Sequence, residues 1–284
     1  MYKIIKNYEI SKDIYELQVE APLVAKKALP GQFVVVMAND KSERIALTIV
    51  DTKDDLVTMI YQVVGASTYE LSHTYEYLHA ILGPLGNPSE IISKDVKDKK
   101  YVLVAGGIGI APLYPQAKYL HEHGAKVDII YGVRGKDNVI FRSKIVDVCD
   151  SLAFTSNDGT IGLAGFATDE LKKRENKYDE AIVIGPMIMM KATCDLTLKM
   201  NLKTTVSLNP IMVDGTGMCG ACRVNVDGEI KFACVDGPEF DGHKIDFDAA
   251  IKRLNIYKTE EGRAYLKAKE GKTHHGGCGN CGDK

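Results

Sequence analysis

The chain has 284 residues, of which 45% are hydrophobic and 26% are charged, and its formal net charge is -2. This length exceeds the size at which one hydrophobic core usually stops growing, so the sequence predicts two or more domains. The near-neutral charge gives no long-range field that would recruit nucleic acid or an anionic membrane, and we expect neither as a partner.

The apolar runs and the cysteines indicate a cytoplasmic protein that binds a metal. The longest apolar runs fall far short of the ~20 residues that span a bilayer, and the N-terminus MYKIIKNYEI lacks the apolar region of a signal peptide. Seven cysteines are an odd number, and most of them bunch towards the C-terminus, unlike a disulfide framework. In a reducing cytosol, such bunching suggests metal binding.

Short β-branched and aromatic runs fill the first part of the chain, and turn residues such as Pro30 and Gly31 separate them. Strands at this spacing predict a small antiparallel barrel or sandwich, which we expect to cover residues 1–97. The runs are KIIKNYEI, IYELQVEA, GQFVVVMA, RIALTIVD, LVTMIYQVV and EYLHAILGPL.

Strands and helices alternate over residues 98–205. The strands YVLVA, VDIIYGV, SLAFTS and EAIVIG are each followed by a helical pattern. This alternation predicts an α/β domain with a parallel, Rossmann-like sheet and helices on both faces. Residues 206–245 leave that rhythm for a small Gly- and Cys-rich module, and residues 246–284 predict a C-terminal helix and a flexible tail.

A glycine-rich turn after the strand YVLVA predicts an anion site. Glycines let the backbone approach a pyrophosphate, and the helix that we expect to open at Pro112 offers free N–H groups and a positive dipole end. The spacing differs from G-x-G-x-x-G, and close packing of strand and helix is the alternative explanation. The predicted contacts are Gly106, Gly107, Gly109, Ala111 and Pro112.

Two later segments lie at the carboxyl ends of predicted parallel strands. Asp158 follows SLAFTS, and Gly185, Pro186 and Met187 follow EAIVIG. Taken singly, the first is an ordinary turn and the second a strand terminator. Because ligands bind along this edge of a parallel sheet, we expect the segments to form a crevice with the glycine turn.

The Gly- and Cys-rich module reproduces the ligand spacing of an iron–sulfur cluster. The plant-type [2Fe-2S] pattern is C-x4-C-x2-C followed by a distant Cys, and here an aspartate stands where the first Cys belongs. The predicted ligands are Asp214, Cys219, Cys222 and Cys234. A zinc site of three cysteines and one aspartate is the alternative, although zinc sites usually pair two short-spaced ligand hairpins.

A second C-x-x-C lies at the end of the chain. Cys278 and Cys281 follow His274 and His275 in a Gly-rich terminal segment. We expect a flexible tail here in preference to a metal or redox site.

In this order the segments resemble the ferredoxin-NADP reductase superfamily, which joins a flavin-binding barrel to a nicotinamide domain with a GGxGxAP turn and a late GP-x-x-M segment. The resemblance implies FAD on the barrel and NAD(H) in the crevice. In that superfamily an R-x-x-[ST] strand binds the flavin, and the nearest stretch here sets Arg and Thr one residue further apart. The flavin residues implied are Arg44, Ala46, Leu47 and Thr48, then Tyr61, Gln62, Val63, Gly65, Ser67 and Thr68.

With its cluster module the chain resembles two groups of electron-transfer subunits. One serves class B dihydroorotate dehydrogenase and typically keeps four cysteines. The other is the small subunit of NADH-dependent ferredoxin:NADP+ oxidoreductase, which is more similar because of Asp214 and the texts MCGACRV and FACVDGPEFDGH. That resemblance implies a heterodimer with a larger flavin/iron–sulfur subunit, ferredoxin reached through that subunit, and electron bifurcation.

The expected path runs from nicotinamide to flavin as hydride, and then to the cluster as single electrons. This chemistry needs no general base, so we predict no catalytic acid–base residue. NAD is expected in preference to NADP, because Asn157 and Asp158 stand where an arginine would bind a 2'-phosphate. Arg134, which follows VDIIYGV, could still bind such a phosphate. A sensor or assembly module without flavin is the remaining alternative.

Overall fold

A computed structural model describes residues 1–174 and 178–270. The predicted fold class is confirmed, since an antiparallel barrel-like sheet is followed by a mainly parallel sheet with helices and by a small C-terminal module. The predictions for His274, His275, Cys278 and Cys281 lie outside the described residues. In the described part of the chain, no helix combines the length and the apolar character needed to cross a membrane.

The N-terminal sheet curls around its own core. Its strands pair antiparallel in the order β6-β1-β2-β5-β4-β3-β7. The alternation of the sequence sends every second side chain inward, and Leu17, Val36 and Met59 are fully buried there. The bounds are β1 (Tyr2–Ser11), β2 (Ile14–Glu20), β3 (Phe33–Met37), β4 (Ile45–Lys53), β5 (Leu56–Gln62), β6 (Tyr77–Leu78) and β7 (Ala80–Leu85), with helices α1 (Pro22–Ala25) and α2 (Ala66–Ser72).

The second sheet has the order β11-β10-β9-β8-β12-β13-β16, and all pairs but the last are parallel. Helix α3 begins at Ile110, two residues before the predicted start, because a 3-10 turn over Gly107–Gly109 leads directly into it. The bounds are β8 (Lys100–Gly106), α3 (Ile110–Glu122), β9 (Lys126–Val133), α4 (Arg142–Val146), β10 (Ser151–Ser156), β11 (Leu163–Ala164), α5 (Ala167–Lys172), β12 (Glu180–Ile184), α6 (Met187–Lys199) and β13 (Lys203–Ser207).

The C-terminal module adds a strand to this second sheet. Strands β14 (Arg223–Val226) and β15 (Glu229–Phe232) form a hairpin, and β16 (Glu239–Asp241) pairs antiparallel with β13. Helices α7 (Phe247–Leu254) and α8 (Lys258–Glu270) follow. Helix α8 lies against α2, where the rings of Tyr69 and Tyr265 meet edge-on with centroids 6.0 Å apart.

Glu239 joins all three parts of the chain. Its Oε2 accepts a hydrogen bond from Ser89 Oγ at 2.7 Å, and its Oε1 accepts one from Gln116 Nε2 at 2.6 Å. Ser89 follows the barrel, Gln116 lies in α3, and Glu239 begins β16. Loss of water around the carboxyl raises the pKa of Glu239 to about 7, and the negative charges of Glu90 and Glu180 add to the rise.

We expect this carboxyl to make folding stability fall with rising pH. Its pKa is about 7 in the folded chain against an ordinary value of 4.5, so the folded state holds the extra proton in that window. The contribution of this carboxyl to the free energy of unfolding is complete below about pH 4.5 and is lost as the pH rises through about 7. The total loss is up to roughly 3 kcal/mol. Glu239→Gln, which is neutral and of the same shape, should lack this slope in urea unfolding measured from about pH 5 to pH 8.

Glu20→Gln, at the exposed end of β2, is the matched control. Equal slopes in wild type and Glu239→Gln would contradict the assignment.

Candidate functional site

Strands β4 and β5 carry the predicted flavin residues to the face that meets the second domain. Strand β4 lies along α3, with Lys118 Nζ 3.3 Å from Asp51 Oδ1, and β5 contacts the Gly107–Gly109 turn. Leu47 points into the barrel core, while Ala46 packs against the cluster module. Because strand side chains alternate, Thr48 shares the outer face with Ala46 and is partly exposed there.

Tyr61 contributes to the barrel core. Its hydroxyl donates to Asn7 Oδ1 at 2.9 Å, and its ring stacks on Tyr15 with centroids 5.5 Å apart. Burial raises the pKa of Tyr61 well above its ordinary value. The two residues that follow it, Gln62 and Val63, are exposed and half-buried respectively, so they lie closer to solvent than Tyr61 does.

The segment after β5, which contains the implied flavin residues Gly65, Ser67 and Thr68, continues into helix α2. Thr68 Oγ1 accepts hydrogen bonds from the N–H groups of Val64 and Gly65, which stabilises the start of the helix. Ser67 Oγ donates to Glu43 Oε2 at 2.6 Å, beside Arg44. These contacts bring the two implied flavin segments together at one end of the barrel.

An open cavity of about 610 Å³ adjoins this end of the barrel. The loop before β4, helix α2 and Ala268 of α8 line it. Sequence analysis did not identify α8 as part of this region, because an exposed, highly charged helix carries no signal for what it packs against.

The glycine turn is formed by close packing at two positions and by backbone conformation at a third. A Cβ on Gly109 would clash with the Ile184 carbonyl, and one on Gly106 would meet Met189 and Pro186. Gly107 has φ +54 and faces open space. The packing explanation therefore accounts for Gly106 and Gly109, while Gly107 leaves room for a ligand.

The structure brings the later Gly-Pro segment against this turn. Gly185 lies against Gly106, and the Met189 side chain covers both glycines. Pro186 is exposed, whereas Met187 is buried in the core beneath the sheet. Ala111 is also fully buried, and Pro112, in the first turn of α3, is half-buried. Met189, which sequence analysis did not select, lies nearer to the crevice than Met187.

Asp158 lies at the same edge of the sheet, after β10. Its Oδ1 accepts hydrogen bonds from the N–H and the hydroxyl of Thr160 at 2.9 and 2.7 Å, and these bonds lower the pKa of Asp158 below its ordinary value. The carboxylate packs over Gly135, next to the exposed Arg134. The Asp158 N–H also donates to the Arg134 carbonyl at 3.2 Å, so an acidic and a basic residue are neighbours at this edge.

The cysteine loop docks on the outer face of the barrel. Cys222 and Cys234 are buried with Phe33, Val35 and Ala233, and their sulfur atoms are 3.2 Å apart. Cys219 is exposed, and its sulfur accepts a hydrogen bond from Ala221 N–H at 3.5 Å. Burial, followed by the neighbouring Cys222, raises the pKa of Cys234 to about 12.

Asp214 closes the other end of this loop. Its Oδ2 accepts hydrogen bonds from Thr216 N–H, Thr216 Oγ1 and Met218 N–H at 3.1, 2.7 and 3.1 Å. The bonds from Thr216 are the main reason that the pKa of Asp214 lies below its ordinary value. The other oxygen, Oδ1, is 3.9 Å from Arg44 Nη1. The loop thus holds a carboxylate beside the strand that carries the flavin residues.

The donor set suits a two-iron cluster. Over residues 1–174 and 178–270, no three His, Cys, Asp or Glu side chains converge closely enough to hold one metal ion. A tetrahedral zinc ion needs its ligands around a single centre, whereas a [2Fe-2S] cluster divides them between two irons. The Cys222–Cys234 pair fits one iron, and Asp214 and Cys219 are the residues that would hold the second. Positive φ at Gly215, Gly217 and Gly220 turns the loop around this set.

Comparisons with known proteins agree with this geometry. Residues 209–246 match the protein family described as the iron–sulfur cluster binding domain of dihydroorotate dehydrogenase B. An uncharacterized protein in the adh 3' region of Clostridium beijerinckii is 52% identical over 296 residues, which cover 100% of both chains.

Two further relatives have informative descriptions. The chain is 46% identical over 269 residues to the dihydroorotate dehydrogenase B (NAD(+)) electron transfer subunit homolog of Thermotoga maritima, covering 93% of this chain and 94% of that protein. A solved structure of an NADH-dependent reduced ferredoxin-NADP oxidoreductase, studied for flavin-based electron bifurcation, superposes with a TM-score of 0.86 and 44% identity over 94% of this chain and 97% of that one. The resemblance drawn from the sequence is confirmed, and the chain belongs to the family of dihydroorotate dehydrogenase B electron-transfer subunits and their homologues.

Proposed function

We propose that this chain is the small, NADH-oxidising subunit of a flavin-based electron-bifurcating ferredoxin:NADP+ oxidoreductase. The observation that carries the proposal is the ion pair between Arg44, which directly precedes β4, and Asp214 of the cluster loop. It sets a flavin segment beside a cluster loop that uses a carboxylate in place of a thiolate. The likeness to the bifurcating oxidoreductase, at 44% identity over nearly the whole of both chains, supports the same function.

The proposed cofactor contacts fall into two groups, one for NAD(H) and one for FAD. The crevice between Gly107, Asp158 and Pro186 would hold NAD(H) against the barrel. Thr48, Ser67 and the other flavin residues of β4, β5 and α2 would hold FAD. When bound, FAD supplies the conversion between a two-electron hydride and single electrons. The protein orients the groups and keeps them close, with Met189 packed over the glycines at the base of the crevice.

The edge of the crevice favours NADH. The Asp158 carboxylate would repel the 2'-phosphate of NADPH, and its hydrogen bonds with Thr160 fix it in place. Arg134 is exposed and is the residue that could still attract such a phosphate. We therefore propose that the chain prefers NADH. We also propose that it works in the cytoplasm, where cysteines meant for a cluster stay reduced.

A larger flavin/iron–sulfur subunit is the proposed partner, with ferredoxin reached through it. The rim of the cluster loop offers a suitable surface, since Met218 is 88% exposed and Val213 is 51% exposed. These two apolar side chains would give such a partner apolar surface to cover. They flank Asp214 and Cys219, so the partner would meet the chain next to the cluster.

The electron-transfer subunit of dihydroorotate oxidation is the second candidate. The domain match over residues 209–246 and the descriptions of several relatives favour it. Purification with the native partner separates the two functions. An orotate-binding partner would favour the second candidate, and a larger subunit with additional clusters would favour the first.

Anaerobic titration of the purified chain tests the electron path. We expect NADH to bleach the flavin absorbance and then to produce the EPR signal of a reduced [2Fe-2S] cluster, with NADPH less effective. Asp158→Asn removes the repulsion between the carboxylate and the 2'-phosphate of NADPH, so the preference for NADH over NADPH should become smaller. The EPR signal of the reduced cluster with excess NADH should be unchanged. A colourless chain without flavin would contradict the proposal.

Replacement of Asp214 tests the ligand set. Asp214→Ala should lower the iron content and the EPR signal while the flavin content stays, because the carboxylate would supply one of four ligands. Asp214→Asn keeps an oxygen that accepts the Thr216 and Met218 hydrogen bonds, so it separates ligand loss from loop collapse. Asp248→Asn, on the exposed face of α7, is the control. Unchanged iron in Asp214→Ala would show that Asp214 is not a ligand.

A further inference from the structure

Two positions of this chain depart from the patterns that they otherwise match. Arg44 stands one residue further from Thr48 than the R-x-x-[ST] strand requires, and Asp214 stands in the place of a cysteine. The sequence gives no reason to connect them, because 170 positions separate the two residues in the chain numbering. The structure brings the two departures together, with Arg44 Nη1 3.9 Å from Asp214 Oδ1.

The packing around the pair fixes the carboxylate more firmly than the guanidinium. Asp214 is 19% exposed in its side chain, and its Oδ2 is held by the loop N–H groups and the Thr216 hydroxyl. Gly215 leaves no room for a Cβ, which would lie 2.9 Å from Val35 Cγ2 and from Leu85 Cδ1. The backbone next to Asp214 is therefore held close to the barrel, the loop fixes Oδ2, and Oδ1 is the oxygen that faces Arg44.

Other arginines contact the same loop in a different way. Arg223 Nη1 donates to the Gly220 carbonyl at 3.2 Å, and Arg253 Nη2 donates to the Ala221 carbonyl at 3.1 Å. These bonds support the backbone whatever side chain stands at the first ligand position. Arg44 differs because it faces a proposed ligand side chain directly, and because it comes from the barrel instead of the C-terminal part of the chain.

We propose that Arg44 is a positioning residue for the cluster as well as a flavin residue: its guanidinium holds the Asp214 carboxylate and offsets its charge at the cluster site. The inference rests on the proposed function, since it assumes that Asp214 is a ligand. A carboxylate is a harder ligand than a thiolate, and it presents a second lone pair on Oδ1 that a guanidinium can bind. The shifted arginine is thus matched to the aspartate, because a carboxylate oxygen accepts a guanidinium hydrogen bond more strongly than a cysteine sulfur does.

A positive group beside the cluster favours the form that carries the added electron. Removing Arg44 should therefore shift the cluster potential downward. The shift should be larger when residue 214 is a carboxylate, because the variant then loses the guanidinium–carboxylate interaction as well as the positive charge. The effect differs from that of a residue that merely supports the loop, because a support residue would weaken iron retention in either background. It also differs from flavin binding, which absorbance measures separately in the same samples.

The test is a double-mutant cycle on the full chain with its flavin and cluster in place. Wild type, Arg44→Gln, Asp214→Cys and the double variant are compared by EPR-monitored redox titration with mediators, and by iron and flavin content. We expect Arg44→Gln to lower the cluster potential or iron content in the wild-type background, and to have less than half that effect in the Asp214→Cys background. Arg44→Lys keeps the positive charge but not the planar guanidinium, so its cluster potential should lie between those of Arg44→Gln and wild type.

Lys53→Gln is the control for charge alone, because Lys53 is exposed at the far end of β4, the strand that Arg44 precedes. An Arg44→Gln potential equal to that of Lys53→Gln, with iron retained, would overturn the inference. So would an equal shift, or equal loss of iron, in the two backgrounds. A wild-type chain that holds no cluster under anaerobic purification would instead refute the proposed function itself.

Discussion

The docking of the cysteine loop on the barrel is the constraint on which the rest of the structure depends. Single electrons pass between groups only when these are held close together, so the loop must be fixed relative to the flavin strand. The loop backbone at Gly215 lies so close to the barrel that any side chain there would clash with Val35 and Leu85. This close contact fixes the position of the loop. Cys222 and Cys234 are buried in the same contact with Phe33. The barrel would therefore form one wall of the proposed cluster site as well as carry the proposed flavin segments.

The second sheet adds the nucleotide crevice to this arrangement through helix α3. That helix starts at the glycine turn and then packs along β4, so one element touches both the crevice and the flavin strand. Much of the glycine content there is explained by packing against β12 and Met189. The same compactness would keep a nucleotide in the proposed crevice near the barrel, so close packing of these glycines is compatible with the proposed binding role.

Local patterns predicted most of the fold, and long-range contacts were beyond them. The period-two runs correspond to the barrel strands, and the alternation of strands and helices corresponds to the second sheet. Helix α2 was missed because seven residues are too few to show helical periodicity. Met187 was selected and Met189 was not, since a shift of two positions on a helix turns a side chain to the opposite face, and the strand-to-helix phase is invisible in the sequence. Glu239 meets Ser89 and Gln116 from 150 and 123 residues away, and such a junction leaves no local signature.

Strand β16 has a consequence for truncation of this protein. It covers the outer side of β13, whose backbone groups would otherwise form an open edge, and open edges template association with other chains. Cutting the chain before the cysteine loop would not yield a simpler flavin reductase, because the truncated nucleotide domain would be prone to aggregate. In this lineage the metal-binding segment is also part of the scaffold, so exchange of one module for another would require a new strand to seal the sheet.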